Sequence, residues 1–148
     1  MSTNSLAEQQ VPVATNRTSA SRAVQQVSEL AGRLFLSALF VASGLGKITA
    51  YSGTAAYMSA LGVPGVLLPL AIVTEIAGAA AIIVGWNTRV VAFLLAGYSL
   101  LTAILFHSNF SDQIEMVMFL KNVSIAGGLL LLVANGAGAL SLDRRVGR

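Results

Sequence analysis

The chain contains no cysteine, which removes disulfides, thiolate metal ligands and a cysteine nucleophile together. Charge is almost as scarce. Asp, Glu, Lys and Arg make up 10% of the 148 residues, against about 25% in soluble domains. Histidine occurs once, so no transition-metal site of the usual ligands is expected. The net charge of +3 comes from scattered residues with no basic run, and nucleic acid is not an expected partner. Phosphate loops, dinucleotide fingerprints and nucleophile motifs are all missing. No apolar block follows a basic start in residues 1–20, so no secretory signal peptide is expected there.

Apolar residues dominate what remains: 55% of the chain, with a mean hydropathy of +0.77. The shortage of charge excludes disorder and argues against a water-soluble domain, and the apolar residues fall into blocks without alternating, which points to a membrane protein. The pattern predicts an all-α polytopic membrane protein with four transmembrane helices, its partner being the lipid bilayer. Spans are expected at about 28–47, 65–85, 88–106 and 116–134, each of roughly 20 residues or ~30 Å. Residues 1–20 read as a disordered polar tail, 21–134 as the membrane domain, and 135–148 as a Gly-rich, then basic tail.

Val24, Val27, Ala31 and Leu34 form an apolar stripe opposite Arg22, Gln26, Glu29 and Arg33. Glu29 and Arg33 make an i,i+4 pair in the favourable order. Arg33 and Lys47 are expected to snorkel at opposite interfaces. Tyr51 to Leu61 is too short and polar to span, and reads as an interfacial helix before the Gly62–Gly65 break. Arg17, Arg22, Arg89, Arg144, Arg145 and Arg148 fall on the side of both termini. Lys47, Asp112 and Glu115 fall on the other. The positive-inside rule therefore places both termini in the cytoplasm.

Small residues at spacing four, Ala38, Ala42 and Gly46 in the first span and Ala77, Ala81 and Gly85 in the second, are candidates for helix packing, as are Gly127 and Gly128. Ionisable residues inside the spans are more informative. Glu75 lies roughly 15 Å from either interface, and Lys121 about 7.5 Å from the outer edge. A charge at the helix centre costs about 2.5–3.5 kcal/mol, so pairing Glu75 with Lys121 is one economical arrangement and a protonated Glu75 the other. Lys47 and His107 end their spans at the same leaflet, and Asn122 adjoins Lys121. These five residues are the candidate set for holding an anionic or quinone-like head group, or for relaying protons. The competing reading is a structural Glu75–Lys121 pair with Lys47 and His107 merely interfacial. Hydroxyls of Tyr98, Ser99, Thr102 and Ser124 are expected to bond the backbone or a neighbouring helix, and no catalytic residue is identified.

Several short pieces recur in a recognisable order: Ser43-Gly44-Leu45-Gly46-Lys47, Leu61-Gly62-Val63-Pro64 and Glu75-Ile76-Ala77-Gly78. Gly85 before a basic connection and His107 follow, then Phe119-Leu120-Lys121-Asn122 and Gly127-Gly128-Leu129-Leu130. From Arg33 to Asp143 the chain resembles the DoxX family of small four-helix bacterial membrane proteins. It departs at Ala79, where many relatives carry a second glycine, a change that bears on local packing only. The family takes its name from a subunit associated with a thiosulfate:quinone oxidoreductase. The resemblance implies a bacterial inner-membrane location and a shared polar set of Lys47, Glu75, His107, Lys121 and Asn122. It also implies a small subunit of a membrane-associated oxidoreductase assembly that interacts with quinone, its partners being other subunits or further copies of itself. A non-catalytic anchor or assembly factor and a small-anion transporter are the alternatives. The residues themselves identify no cofactor, and quinone is the one the resemblance suggests.

Overall fold

The computed structural model describes residues 18–147, and the part of the polar tail before Thr18 lies outside them. Helices α1 (Ser19–Thr49), α2 (Tyr51–Ala60), α3 (Leu68–Val84), α4 (Thr88–Phe106), α5 (Gln113–Asn135) and α6 (Leu142–Arg145) follow one another, with a 3₁₀ turn at Gly65–Leu67 and no strand among the described residues. Four segments are long and apolar enough to cross a membrane: Ser19–Thr49, Gly65–Val84, Thr88–Phe106 and Gln113–Asn135. These are the four expected spans, and α2 is the expected short helix between the first two.

Local chemistry explains the boundaries. Thr18 caps α1, its side chain accepting from the Ser21 amide, while Ser21 Oγ donates to the Thr18 carbonyl at 2.8 Å. No proline interrupts the following 31 residues, so α1 runs to about 46 Å and exceeds the hydrocarbon thickness. Pro69 sits in the first turn of α3, where its missing amide hydrogen costs nothing. Asp112 caps α5, accepting from the Ile114 amide at 2.7 Å and from Glu115.

Packing joins α1 to α3 and α4 to α5, with α3 against α4 linking the two pairs. Phe40, Ala79, Ile82, Ala92, Leu95 and Leu129 form the centre of the buried core. Close approach depends on glycines other than most of those expected. A methyl group at Gly44 would come within 2.7 Å of Ile76 Cδ1, and one at Gly78 within 2.9 Å of Leu95 Cδ2. Gly128 does meet Leu36, as anticipated for that position. Ala38, Ala42, Gly46, Ala77 and Gly127 instead lie on exposed faces, and Ala81 is half-buried. Spacing of four places residues on one face, but in a helix apolar all round it does not say which face turns inward.

The end of the bundle that carries both described termini also departs from expectation. Arg33 does not snorkel; it is 0% exposed, and its Nη2 donates to the Leu140 carbonyl. Glu29 accepts from Gln25 Nε2 at 2.6 Å, and forms no ion pair with Arg33 within 4 Å. Residues 136–147 form a strap, bent by Gly136 and Gly138 at φ +78° and +79°. Gly138 lies so close to the Glu29 carboxylate, and Gly85 to Arg33 and Ser141, that a side chain at either position would collide. The Asp143 carboxylate accepts from the Asn87 and Thr88 amides at 2.7 and 2.8 Å, and its own amide donates to the Gly85 carbonyl at 2.8 Å. Helix α4 lacks a local side-chain cap, so a residue 55 positions away supplies one.

Asp143→Ala should therefore lower stability by about 1–2 kcal/mol, the usual cost of a lost cap. Asp143→Asn, which keeps one acceptor, should lose less. Thermal unfolding in detergent measures both, and an unchanged midpoint for Asp143→Ala would show that the strap is held by something else.

Candidate functional site

Ser43 and Lys47 lie one turn apart on α1, at the level where Gly44 packs against Ile76 of α3. That contact brings them to Glu75, whose side chain is only 4% exposed. Lys47 Nζ lies 2.8 Å from Glu75 Oε1 and 3.0 Å from Oε2, spanning the carboxylate. Lys47 also donates to Ser43 Oγ at 2.6 Å, and Ser43 Oγ donates onward to Oε1 at 3.2 Å. From α4, Tyr98 OH donates to the same Oε1 at 2.8 Å. Two helices thus direct donors at a carboxylate on a third, which meets the requirement that a buried charge be paired and hydrogen-bonded.

The partner of Glu75 is therefore Lys47, not Lys121. Lys121 is on α5, which packs on α4 and hardly touches α1. Its Nζ reaches Met118 Sδ on its own helix at 3.5 Å, with no carboxylate within 4 Å among the described residues. Asn122 Nδ2 donates to the Met118 carbonyl at 3.0 Å. His107 Nδ1 lies 2.7 Å from Glu115 Oε2, an ion pair when the imidazole is protonated.

Although only two of them pair with each other, Lys47, Glu75, His107, Lys121 and Asn122 all line one cavity of about 470 Å³, together with Ser43 and Tyr98. Helix α2 covers one end through Thr54, Tyr57 and Met58, and the Tyr57 ring stacks on Phe106 with centroids 6.0 Å apart. Leu39, Leu70, Leu101 and Leu105 form part of the wall and are also exposed on the helix surfaces, so the cavity borders the lipid side of the bundle. The arrangement is a polar cluster inside an apolar chamber, within the ~300–1,000 Å³ range of small-molecule sites. No three of His, Cys, Asp and Glu are grouped to hold a metal among the described residues.

Two direct contacts of Glu75, Ser43 and Tyr98, were not in the candidate set. The i,i+4 relation of Ser43 to Lys47 was available in the sequence as a signal. Tyr98 behaves as expected of a mid-span hydroxyl by bonding a neighbouring helix, but nothing in the sequence pointed to Glu75 as its acceptor.

The DoxX family model matches residues 28–108, a stretch that contains Lys47, Glu75, Tyr98 and His107 and ends before Lys121. Inner membrane protein YqjF of Escherichia coli (strain K12) is 50% identical over 121 residues, covering 82% of this chain and 93% of the relative. Inner membrane protein YphA of the same strain is 39% identical over 130 residues, covering 83% and 93%. No solved structure gives a significant match.

Removing one member of the buried pair should be costly. Lys47→Met is expected to destabilise by about 3–5 kcal/mol, because it strands the Glu75 charge. Adding Glu75→Gln to that variant should restore much of the loss. Lys121→Met should change stability by no more than about 0.5 kcal/mol. A loss in Lys121→Met equal to that in Lys47→Met, on thermal unfolding in detergent, would overturn this pairing.

Proposed function

Because the chain belongs to the DoxX family of integral membrane proteins, and holds a polar cluster inside an apolar chamber, we propose that it is a small subunit of a membrane-associated oxidoreductase assembly that binds a quinone-like amphiphile. The observation that carries this reading is the cavity: polar groups at its centre, leucines on its lipid-facing wall, and a volume suited to a ring with part of its tail. A quinone ring presents carbonyl oxygens, which only accept hydrogen bonds. Lys121 has an ammonium that no carboxylate engages among the described residues and lines the same chamber, so it is available to donate to such an oxygen. Glu75, held by Lys47 and Tyr98, is a carboxylate next to the chamber that can accept a proton. When bound, a quinone would exchange two electrons with a partner subunit together with two protons, taking them up on reduction and releasing them on oxidation, when Glu75 can accept one.

Transport is less well supported. The apolar core of Phe40, Ala79, Ile82, Leu95 and Leu129 fills the bundle between this chamber and the end that carries the strap. The chamber is thus closed on the strap side by that core and borders one lipid face. Arg22, Arg89, Arg144 and Arg145 gather at the strap end, which we assign to the cytoplasm, leaving the chamber in the outer half of the membrane.

Two experiments test the proposal. Mass spectrometry of the protein purified in mild detergent should find a bound quinone, retained about tenfold less by Lys121→Met, the equivalent of one lost hydrogen bond of about 1.4 kcal/mol. A stoichiometric partner protein recovered with no quinone would favour the anchor reading instead. Orientation is open to single-cysteine labelling, since the native chain has none. Ser111→Cys should react with an impermeant maleimide in intact cells, and Val146→Cys only after lysis; the reverse pattern would invert the assignment.

A further inference from the structure

A second cavity, of about 510 Å³, lies at the strap end, between the first turns of α1, the α3–α4 turn and the carboxy-terminal segment. Three arginines from three elements line it: Arg22 from α1, Arg89 from the first turn of α4 and Arg144 from α6. None of the three guanidinium groups has a carboxylate within 4 Å or a hydrogen-bond acceptor among the described residues.

Two carboxylates share the cavity wall, and both are engaged elsewhere. Asp143 accepts from the α4 amides, and Glu29 accepts from Gln25. Both also lie in the field of the buried Arg33, which offsets them. Four arginines therefore stand against two carboxylates, leaving the cavity positive. Thr88 lines it as well, is wholly buried, and its Oγ1 has no hydrogen-bond partner. A buried hydroxyl without a partner beside three unengaged guanidinium groups calls for a ligand rich in acceptor oxygens.

Depth narrows the choice of ligand. Trp86, 52% exposed, sits in the α3–α4 turn beside the cavity, and an exposed tryptophan at a span end marks the head-group level of a bilayer. Arg89 lies beside Gly136 of the strap: a methyl group there would sit 3.4 Å from Arg89 Nε. Guanidinium groups match phosphate oxygens in geometry as well as in charge.

We propose that this cavity is a phosphate site, in which Arg22, Arg89 and Arg144 hold a phosphate ester presented by an anionic lipid head group or as free phosphate. The site is separate from the quinone chamber and does not depend on it.

The test uses the full chain in a neutral detergent and follows its unfolding midpoint against added phosphatidylglycerol, phosphatidylcholine or inorganic phosphate. Phosphatidylglycerol should raise the midpoint of the wild type where phosphatidylcholine does not. Arg22→Gln, Arg89→Gln and Arg144→Gln should each weaken the response about tenfold, the loss of one charge-assisted contact. Arg145→Gln, which alters an exposed arginine outside the cavity, should leave it unchanged. If inorganic phosphate reproduces the shift, the phosphate site stands and its ligand is soluble; if only the lipid does, the ligand is a head group. Equal responses in the wild type and the Arg89→Gln variant, or an equal loss in Arg145→Gln, would overturn the site in favour of diffuse surface charge.

Discussion

A carboxylate midway through a hydrophobic helix is the constraint around which the structure is arranged. Glu75 must be satisfied within the bundle, since the bilayer offers it nothing. The solution uses three helices at once: Lys47 and Ser43 from α1, Tyr98 from α4, and Glu75 itself on α3. Gly44 matters because a larger residue would hold α1 away from α3 at the level of the pair. The pair thus sets the register of α1 against α3, and Tyr98 extends that register to α4. Helix α5 stands outside the network and packs on α4, which leaves room for a chamber bordered by all four spans.

The two ends of the bundle solve opposite problems. At one end, α2 and its Tyr57–Phe106 stack cover a chamber and keep polar groups near a lipid-facing wall. At the other, the strap closes over exposed helix ends. Asp143 satisfies the first amides of α4, and Leu140 offers its carbonyl to Arg33. Both devices depend on backbone geometry as much as on side chains, because Gly85, Gly136 and Gly138 adopt positive φ where the chain passes closest to Arg33, Arg89 and Glu29. Between the ends lies an apolar core that separates the two cavities.

Hydropathy carried most of the fold. Four apolar blocks gave four helices, and the break at Gly62–Gly65 separated α2 from α3, because in lipid the length of an apolar run decides what spans. Rotation about each helix axis was not legible. Ala38, Ala42 and Gly46 have the right spacing for packing, yet the inward face carries Arg33, Ser37, Phe40 and Gly44. With lipid on one side and apolar side chains on the other, the amphipathic signal that fixes the inward face in water is absent. The same ambiguity hid the partner of Glu75. Depth along the helix made Lys121 a candidate, whereas azimuth selected Lys47. The strap was invisible for another reason: its contacts join residues more than 50 positions apart and run through backbone groups, which leave little trace in composition.

A buried ion pair is weak evidence of selection for stability, since a well-packed apolar pair of similar volume is often as stable or more so. Leucine and methionine in place of Glu75 and Lys47 would fill the space without the desolvation penalty. Under the proposed function, the value of the pair lies in what it offers to the adjoining chamber. Glu75 is fixed by four donor contacts, and Lys47, with its side chain 24% exposed, remains partly open to whatever occupies that space. A carboxylate and an ammonium fixed beside an apolar cavity, with a lysine on the same wall that no carboxylate engages among the described residues, form the preorganised polar surface that the proposed amphiphile would need. Such a surface requires no reorganisation when the ligand arrives, because the cost of burying its charges is met during folding.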